Sequence, residues 1–139
     1  MLRVNKKLEY GILALLYLAN KPERTASVRE IARACQVPEN LLSKVMQSMK
    51  SVGFVAAVYG NHGGYRLSRG LAEISLLDIN QVLVGPVQVT ECLEPGNQHC
   101  PAKATCMIQT PMGLLNQKII HLFQSTSLET LATPRKVAL

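Results

Sequence analysis

Near the start of the chain, apolar residues recur at helical spacing. Leu8, Ile12, Leu15, Leu16 and Ala19 fall on one face of a helix predicted from about Lys7 to Asn20. Lys21-Pro22-Glu23 then breaks the pattern. Ser27-Val28-Arg29-Glu30 has the form of a capping box, in which the serine hydroxyl and the glutamate carboxylate each satisfy a free amide at a helix start. The short helix it opens runs to about Cys35, and Gln36-Val37-Pro38 makes a turn. A third helix is predicted from about Glu39 to Ser51, closed by Gly53. Leu41, Val45 and Met49, with Leu42 and Met46, form its apolar face, and Asn40, Ser43, Lys44, Gln47 and Lys50 occupy the other.

The period then changes. Phe54-Val55-Ala56-Ala57-Val58-Tyr59 is β-prone, Gly60-Asn61-His62-Gly63-Gly64 supplies a tight turn, and Tyr65-Arg66-Leu67 begins a return strand. Two helices joined by a short turn and followed by a hairpin make a winged helix-turn-helix. Ser75-Leu76-Leu77-Asp78 is a second capping box, opening a helix that ends near Gly85-Pro86. A Pro-, Gly- and Asn-rich loop follows. Beyond it Ile108, Met112, Leu115, Ile119 and Leu122 recur at spacings of 4, 3, 4 and 3, a short seam suited to a dimerisation helix, with Pro111 near its start. The predicted fold class is therefore mainly α with a small β-hairpin. A winged helix-turn-helix domain (1–84) precedes a cysteine-containing loop (85–106), a dimerisation helix with a C-terminal segment (107–132) and a frayed tail (133–139).

Charge and cysteine usage narrow the function. Lys and Arg number 15 against 9 Asp and Glu, for a net charge of +6 and a pI near 9.4, which suits a polyanionic partner. Hydrophobic residues make up 47% of the chain, which argues against global disorder. No apolar run is long enough to cross a bilayer, so no membrane role is expected. The N-terminus lacks a signal-peptide cleavage pattern, which points to the cytoplasm. Thiols stay reduced there, and clustered cysteines are more often metal ligands or redox sensors than disulfides. Cys35 stands apart in a helical pattern and reads as a small buried apolar residue. An enzyme is not expected: no nucleophile–base pairing and no phosphate-binding Gly loop followed by Lys is present.

Two groups of residues carry chemistry. On the third helix, Asn40, Ser43 and Gln47 can read base edges in a major groove, while Lys44 and Lys50 can reach guanine or phosphate. At the hairpin, Asn61, His62 and Gly63 let backbone amides approach phosphates, and Arg66 and Arg69 neutralise charge. Cys92, Cys100 and Cys106 form the second group. Their gaps of seven and five residues match neither the Cys-x2-Cys of most zinc ribbons nor the ferredoxin runs. Ligand chemistry alone leaves an iron–sulfur cluster, a zinc ion and a thiol switch open.

Taken together, these residues resemble the Rrf2 family of bacterial transcription regulators, and within it the cluster-binding branch typified by IscR and NsrR. The resemblance rests on Leu8-Glu9-Tyr10-Gly11 with Ala14-Leu15-Leu16, on Ile31-Ala32 and Gly53, and on the wing Gly63-Gly64-Tyr65-Arg66-Leu67. The cysteine trio and Ser127-Leu128-Glu129-Thr130-Leu131 complete it. It implies a homodimer that binds double-stranded operator DNA, with a 2Fe–2S or 4Fe–4S cluster on Cys92, Cys100 and Cys106 controlling that binding. In the IscR pattern a histidine lies three residues after the last cysteine; here that residue is Gln109. In NsrR-like members an acidic residue in the first helix of the partner subunit completes the site, and the matching position is Glu9, with His99 the competing candidate and His121 a weaker one. The first cysteine gap is longer than in IscR, and Tyr59 stands where an arginine commonly precedes the wing glycine. A cluster-free thiol or zinc sensor on the same scaffold is the alternative expectation. A small iron–sulfur electron-transfer protein is a minor one, since it leaves the basic balance and the wing unexplained.

Overall fold

In the computed structural model, residues 3–97 and 99–132 are described. Helix α1 (Lys6–Asn20) starts at Asn5, whose side chain accepts a hydrogen bond from the Lys7 amide. Its buried face is Leu8, Gly11, Ala14, Leu15 and Leu18, while Ile12 packs only partly against the core. The buried arc is thus rotated from the predicted one, because the neighbouring helices meet α1 along Leu8, Leu15 and Leu18.

Helix α2 (Val28–Cys35) begins at Ser27, whose hydroxyl accepts the Glu30 amide at 3.1 Å. Only half of the predicted capping box forms here. The Glu30 carboxylate turns instead to the Lys21 ammonium and accepts a bond from the Tyr17 hydroxyl at 3.3 Å, tying the end of α1 to the start of α2. Gln36, in the left-handed region at φ 55°, ends α2. Helix α3 (Glu39–Ser51) buries Leu42, Val45, Met46 and Met49. Leu41 was expected with them but is 43% exposed, because it lies at the edge of the arc that those four residues define.

The wing is a three-stranded antiparallel sheet rather than a two-stranded hairpin. Strands β1 (Thr25–Ala26), β2 (Val55–Val58) and β3 (Gly64–Leu67) lie in the order β1-β3-β2, with Thr25 opposite Arg66 and Ala26 opposite Tyr65. Gly64 makes the added strand possible: any Cβ there would collide with the Ala26 carbonyl.

Helix α4 (Leu76–Leu83) carries the complete capping box expected of it. The Asp78 amide donates to the Ser75 hydroxyl at 3.0 Å and the Ser75 amide to the Asp78 carboxylate at 2.9 Å. The buried Asn80 closes the other end, its side-chain amide donating to the Gly85 carbonyl at 2.9 Å. Helix α5 (Gln109–Ser125) has no buried residue, and α6 (Leu128–Ala132) has one, Leu128, which is fully enclosed in the core. The chain between them bonds back to the start of α4. Leu76 N–H donates to the Thr126 carbonyl at 2.8 Å, and Leu128 N–H to the Ile74 carbonyl at 2.9 Å. The expected frayed tail, 133–139, lies outside the described residues. Among the described residues, no helix is long and apolar enough to cross a membrane.

Candidate functional site

The first candidate surface is the outer face of α3 with the wing. Asn40, Lys44, Gln47 and Lys50 are exposed there, and Ser43 is half-buried at the edge. These side chains stand free because α3 puts its apolar arc inward; the side-chain bonds on this helix run to its own backbone, from Ser48 to the Lys44 carbonyl and Ser51 to the Ser48 carbonyl. Among the described residues, neither Lys44 nor Lys50 is in an ion pair, so both charges are free to meet phosphate. Arg29 of α2 reaches Glu39 at the first turn of α3, 3.8 Å away, an exposed pair that spans the turn between the two helices.

At the wing, Asn61 and His62 are exposed and Gly63 is half-buried. All three line a cleft whose other wall is Lys21, Ser27 and Glu30. The Glu30 carboxyl is held below its usual range by the Lys21 ammonium beside it, and that ammonium is raised in turn by Glu30. Burial, then Glu30, pushes the Tyr17 phenol up. This charged tie fixes the corner against which the wing tip sits. Arg66 is separated from the tip residues, lining a different cleft with Arg24 and Arg69. Tyr59, in place of a cation, projects from the end of β2 at 87% exposed.

The second candidate surface is the loop between α4 and α5. A short 3-10 turn, Glu91–Leu93, carries Cys92, and the Thr90 hydroxyl lies 3.2 Å from its sulfur. The Asn97 side-chain amide donates to the Glu91 carbonyl at 2.9 Å and its oxygen accepts the His99 amide at 3.2 Å, folding the loop back on itself. A turn closed by the Lys103 amide on the Cys100 carbonyl brings the chain to Cys106, just ahead of α5. Asn116 of α5 accepts the Val89 amide at 3.0 Å, so the loop is pinned to the helix that follows it.

Cys92, Cys100 and Cys106 open on one recess together with Asn97, Lys103 and Gln109. Cys92 and Cys100 are exposed and Cys106 is half-buried. Among the described residues, the recess takes no carboxylate or imidazole: Glu9 lies at the start of α1, 2.9 Å from Lys6, and His99 and His121 are exposed elsewhere. No three His, Cys, Asp or Glu side chains among the described residues are gathered to hold a single metal ion. A zinc ion with Zn–S bonds of about 2.3 Å needs sulfurs about 3.8 Å apart. A multi-iron cluster spreads its thiolates over separate irons and so does not require three sulfurs around one ion. Free amides at the α5 N-terminus and the Lys103 ammonium favour negative charge there. Cys35 is half-buried against the core instead, where burial pushes its thiol up, as suits an inert packing residue.

Lys103 and Asn97 escaped the sequence reading. Lys103 was legible in principle, lying midway between Cys100 and Cys106, whereas Asn97 declares itself only through its backbone bonds. Arg24 was not legible at all, because the two-residue strand after it leaves no periodicity.

A recognition-type helix, a glycine-tipped wing and a separate cysteine loop define a winged-helix DNA-binding transcription regulator with a candidate sensing site. The chain belongs to the Rrf2 family: residues 4–134 match its model, described as an iron-dependent transcriptional regulator. It is 31% identical over 134 residues to protein aau3 of Rhizobium meliloti (strain 1021), covering 96% of this chain and 87% of that protein. The solved structure of CymR, the global cysteine regulator of B. subtilis, superposes with a TM-score of 0.73 at 28% identity, covering 95% of this chain and 97% of that one. The T. potens IscR structure gives 0.71 at 24% identity, covering 94% and 85%, a likeness of fold. Members of this family act by binding DNA and are not enzymes.

Proposed function

We propose that this protein is a homodimeric, cytoplasmic regulator that binds operator DNA and senses its signal through an iron–sulfur cluster on Cys92, Cys100 and Cys106. The observation that carries the reading is the shared recess: three thiols face one opening, and none of its other liners is a ligand of comparable strength. A set of three thiolates leaves one coordination position to be filled from outside the chain. Glu9 of the partner subunit is the candidate, because it sits in the first turn of α1 with its side chain 39% exposed.

The homodimer follows from α5. Leu114, Leu115 and Leu122 are 57%, 43% and 59% exposed on α5, while Phe123 of the same helix packs against the core. A run of apolar side chains that large on one helix suits a second copy of the same helix. The cluster, when bound, supplies a redox- and oxidant-sensitive centre whose loss frees three thiolates. The chain's own residues do the rest: Asn97 folds the loop back on itself, Asn116 holds it against α5, and the α3 face with the wing tip reads DNA. On this reading Asn40, Ser43 and Gln47 meet base edges, and Lys44, Lys50 and the wing residues Asn61, His62 and Gly63, with Arg66, meet phosphate.

Anaerobic purification followed by iron and sulfide analysis and Mössbauer spectroscopy tests the claim. Visible absorbance with stoichiometric iron and sulfide is expected, lost in Cys106→Ser and spectrally altered in Glu9→Ala. Protein free of iron and sulfide sinks it. A second reading, a cluster-free thiol sensor, is favoured by the likeness to CymR of B. subtilis, named a global cysteine regulator. Metal-free protein whose duplex affinity changes on reversible oxidation of the same three thiols would establish it.

A further inference from the structure

Away from the cysteine loop and the wing tip, three arginines line one cleft. Arg24 comes from the turn before β1, Arg66 from the central strand β3, and Arg69 from the segment after it. Thr25 stands opposite Arg66 in the β1–β3 register, and its hydroxyl and that of Ser68 line the same cleft of about 530 Å³. Among the described residues, none of the three arginines is in an ion pair. Glu23, the one acid on the cleft, lies 3.3 Å from Lys21. Arg69 packs over the Phe54 ring, 5.7 Å from its centroid, which fixes the direction of that guanidinium without neutralising it.

Three uncompensated cations around one opening repel one another, and a polyanion relieves that repulsion. Planar guanidinium forks with two hydroxyls beside them match the oxygens of a phosphate. Arg24 also holds φ 57°, an unfavourable backbone for a residue with a Cβ and one that collects at ligand clamps.

We infer that Arg24 and Arg69, with Arg66, form a backbone-phosphate clamp for duplex DNA that extends the contacts proposed for α3 and the wing tip. The phosphate belongs to DNA rather than to a free anion because the cleft continues the proposed DNA surface. Glu23 and Thr25 line both this cleft and the one walled by Asn61, His62 and Gly63, so the two lie on either side of edge strand β1. A duplex seated on the wing tip can extend across that edge. The inference rests on the DNA-binding reading and adds to it a sequence-independent contact.

A random-sequence 30-base-pair duplex is the appropriate probe, with the full-length protein titrated over a range of salt concentrations. The double variant Arg24→Asn/Arg66→Gln keeps a residue that tolerates the left-handed turn and leaves Arg69 on Phe54. Its slope of log affinity against log salt should fall by about 0.9 for each cation removed, about 1.8 in all, with unchanged melting temperature. Arg66→Lys should retain most of the wild-type slope. An unchanged slope in the double variant overturns the clamp. If inorganic pyrophosphate raises the wild-type melting temperature but not that of the variant while duplex binding stays equal, the cleft is a free-anion site and the DNA assignment is wrong. Wild-type protein with no salt-dependent duplex affinity would refute the regulator reading itself, a result distinct from either.

Discussion

Replacing Leu128 with alanine tests how the C-terminal arm is held. Leu128 is fully buried although it belongs to a five-residue helix at the end of the described chain. Truncation removes three carbons from the core, about 2.4 kcal/mol at about 0.8 kcal/mol per methylene. A residual cavity of about 40 Å³ adds about 1 kcal/mol at about 24 cal/mol per Å³. The expected loss is therefore about 3–3.5 kcal/mol. For a chain of this size that corresponds to a drop in Tm of about 10 °C, at about 3 °C per kcal/mol. Urea unfolding at one fixed protein concentration measures it, since association would otherwise shift the midpoint. Leu41→Ala is the control: at 43% exposed in α3 it should cost about 1 kcal/mol or less. A Leu128→Ala loss below about 1 kcal/mol would refute the reasoning, because α6 would then not be anchored in the core.

Other consequences can be checked separately. Glu30→Gln should destabilise the protein near neutral pH. Because the folded Glu30 carboxyl lies below its ordinary value, its contribution is present above that value and disappears as pH falls through the lowered one; the Tm gap between wild type and variant should be level around pH 6–9 and close below about pH 4. Lys21, raised by the same pair, loses its share only at strongly alkaline pH, so no second change is expected near neutrality. Gly64→Ala should cost about 2–4 kcal/mol, from the collision with the Ala26 carbonyl and the strained backbone, measured by thermal unfolding; a neutral result would mean that β1 does not pair as described. Asn116→Ala should speed hydrogen exchange of the Val89 amide about tenfold, the equivalent of one hydrogen bond of about 1.4 kcal/mol, and equal exchange rates would show that the loop is not pinned there.

Periodicity made α1 and α3 legible, because each buries an arc that repeats along the chain, and capping signals marked the starts of α2 and α4. What it missed depended on tertiary neighbours. Leu41 looked equivalent to Leu42 because both are apolar, and only the packing of Met46 and Met49 tells which of them points inward. Strand β1 has two residues and owes its existence to a missing Cβ on Gly64, far along the chain. Glu30 satisfied the spacing of a capping box, but a nearby ammonium outcompetes a backbone amide for its carboxylate. At the cysteine loop, spacing identified the thiols as a group. Their shared recess depends on the Asn97 turn, a matter of local backbone geometry, and on the Val89–Asn116 bond, which joins residues far apart in sequence.

On the proposed reading, the same contacts would let a cluster at this loop bear on DNA binding without unfolding the protein. Helix α5 has no fully buried residue: Phe123 packs against the core, Ile119 lines a cleft with Leu8 and Asn80, and Asn116 accepts the Val89 amide, while Leu114, Leu115 and Leu122 are left exposed. One end is held by Leu128 and by the bonds from Ile74 and Leu76 to the chain around it, next to α4, which in turn packs on α1 and α3. The other end emerges from Cys106 and the pinned loop. A ligand drawn from Glu9 at the start of a partner's α1 would tie that second end to the other subunit, adding a tether that no contact within one chain supplies. Losing it would leave the core of each protomer intact, since Leu128, Ile74 and the α1–α3–α4 packing lie elsewhere. What changes is the relative placement of two α3 helices, and operator half-sites are most sensitive to that distance.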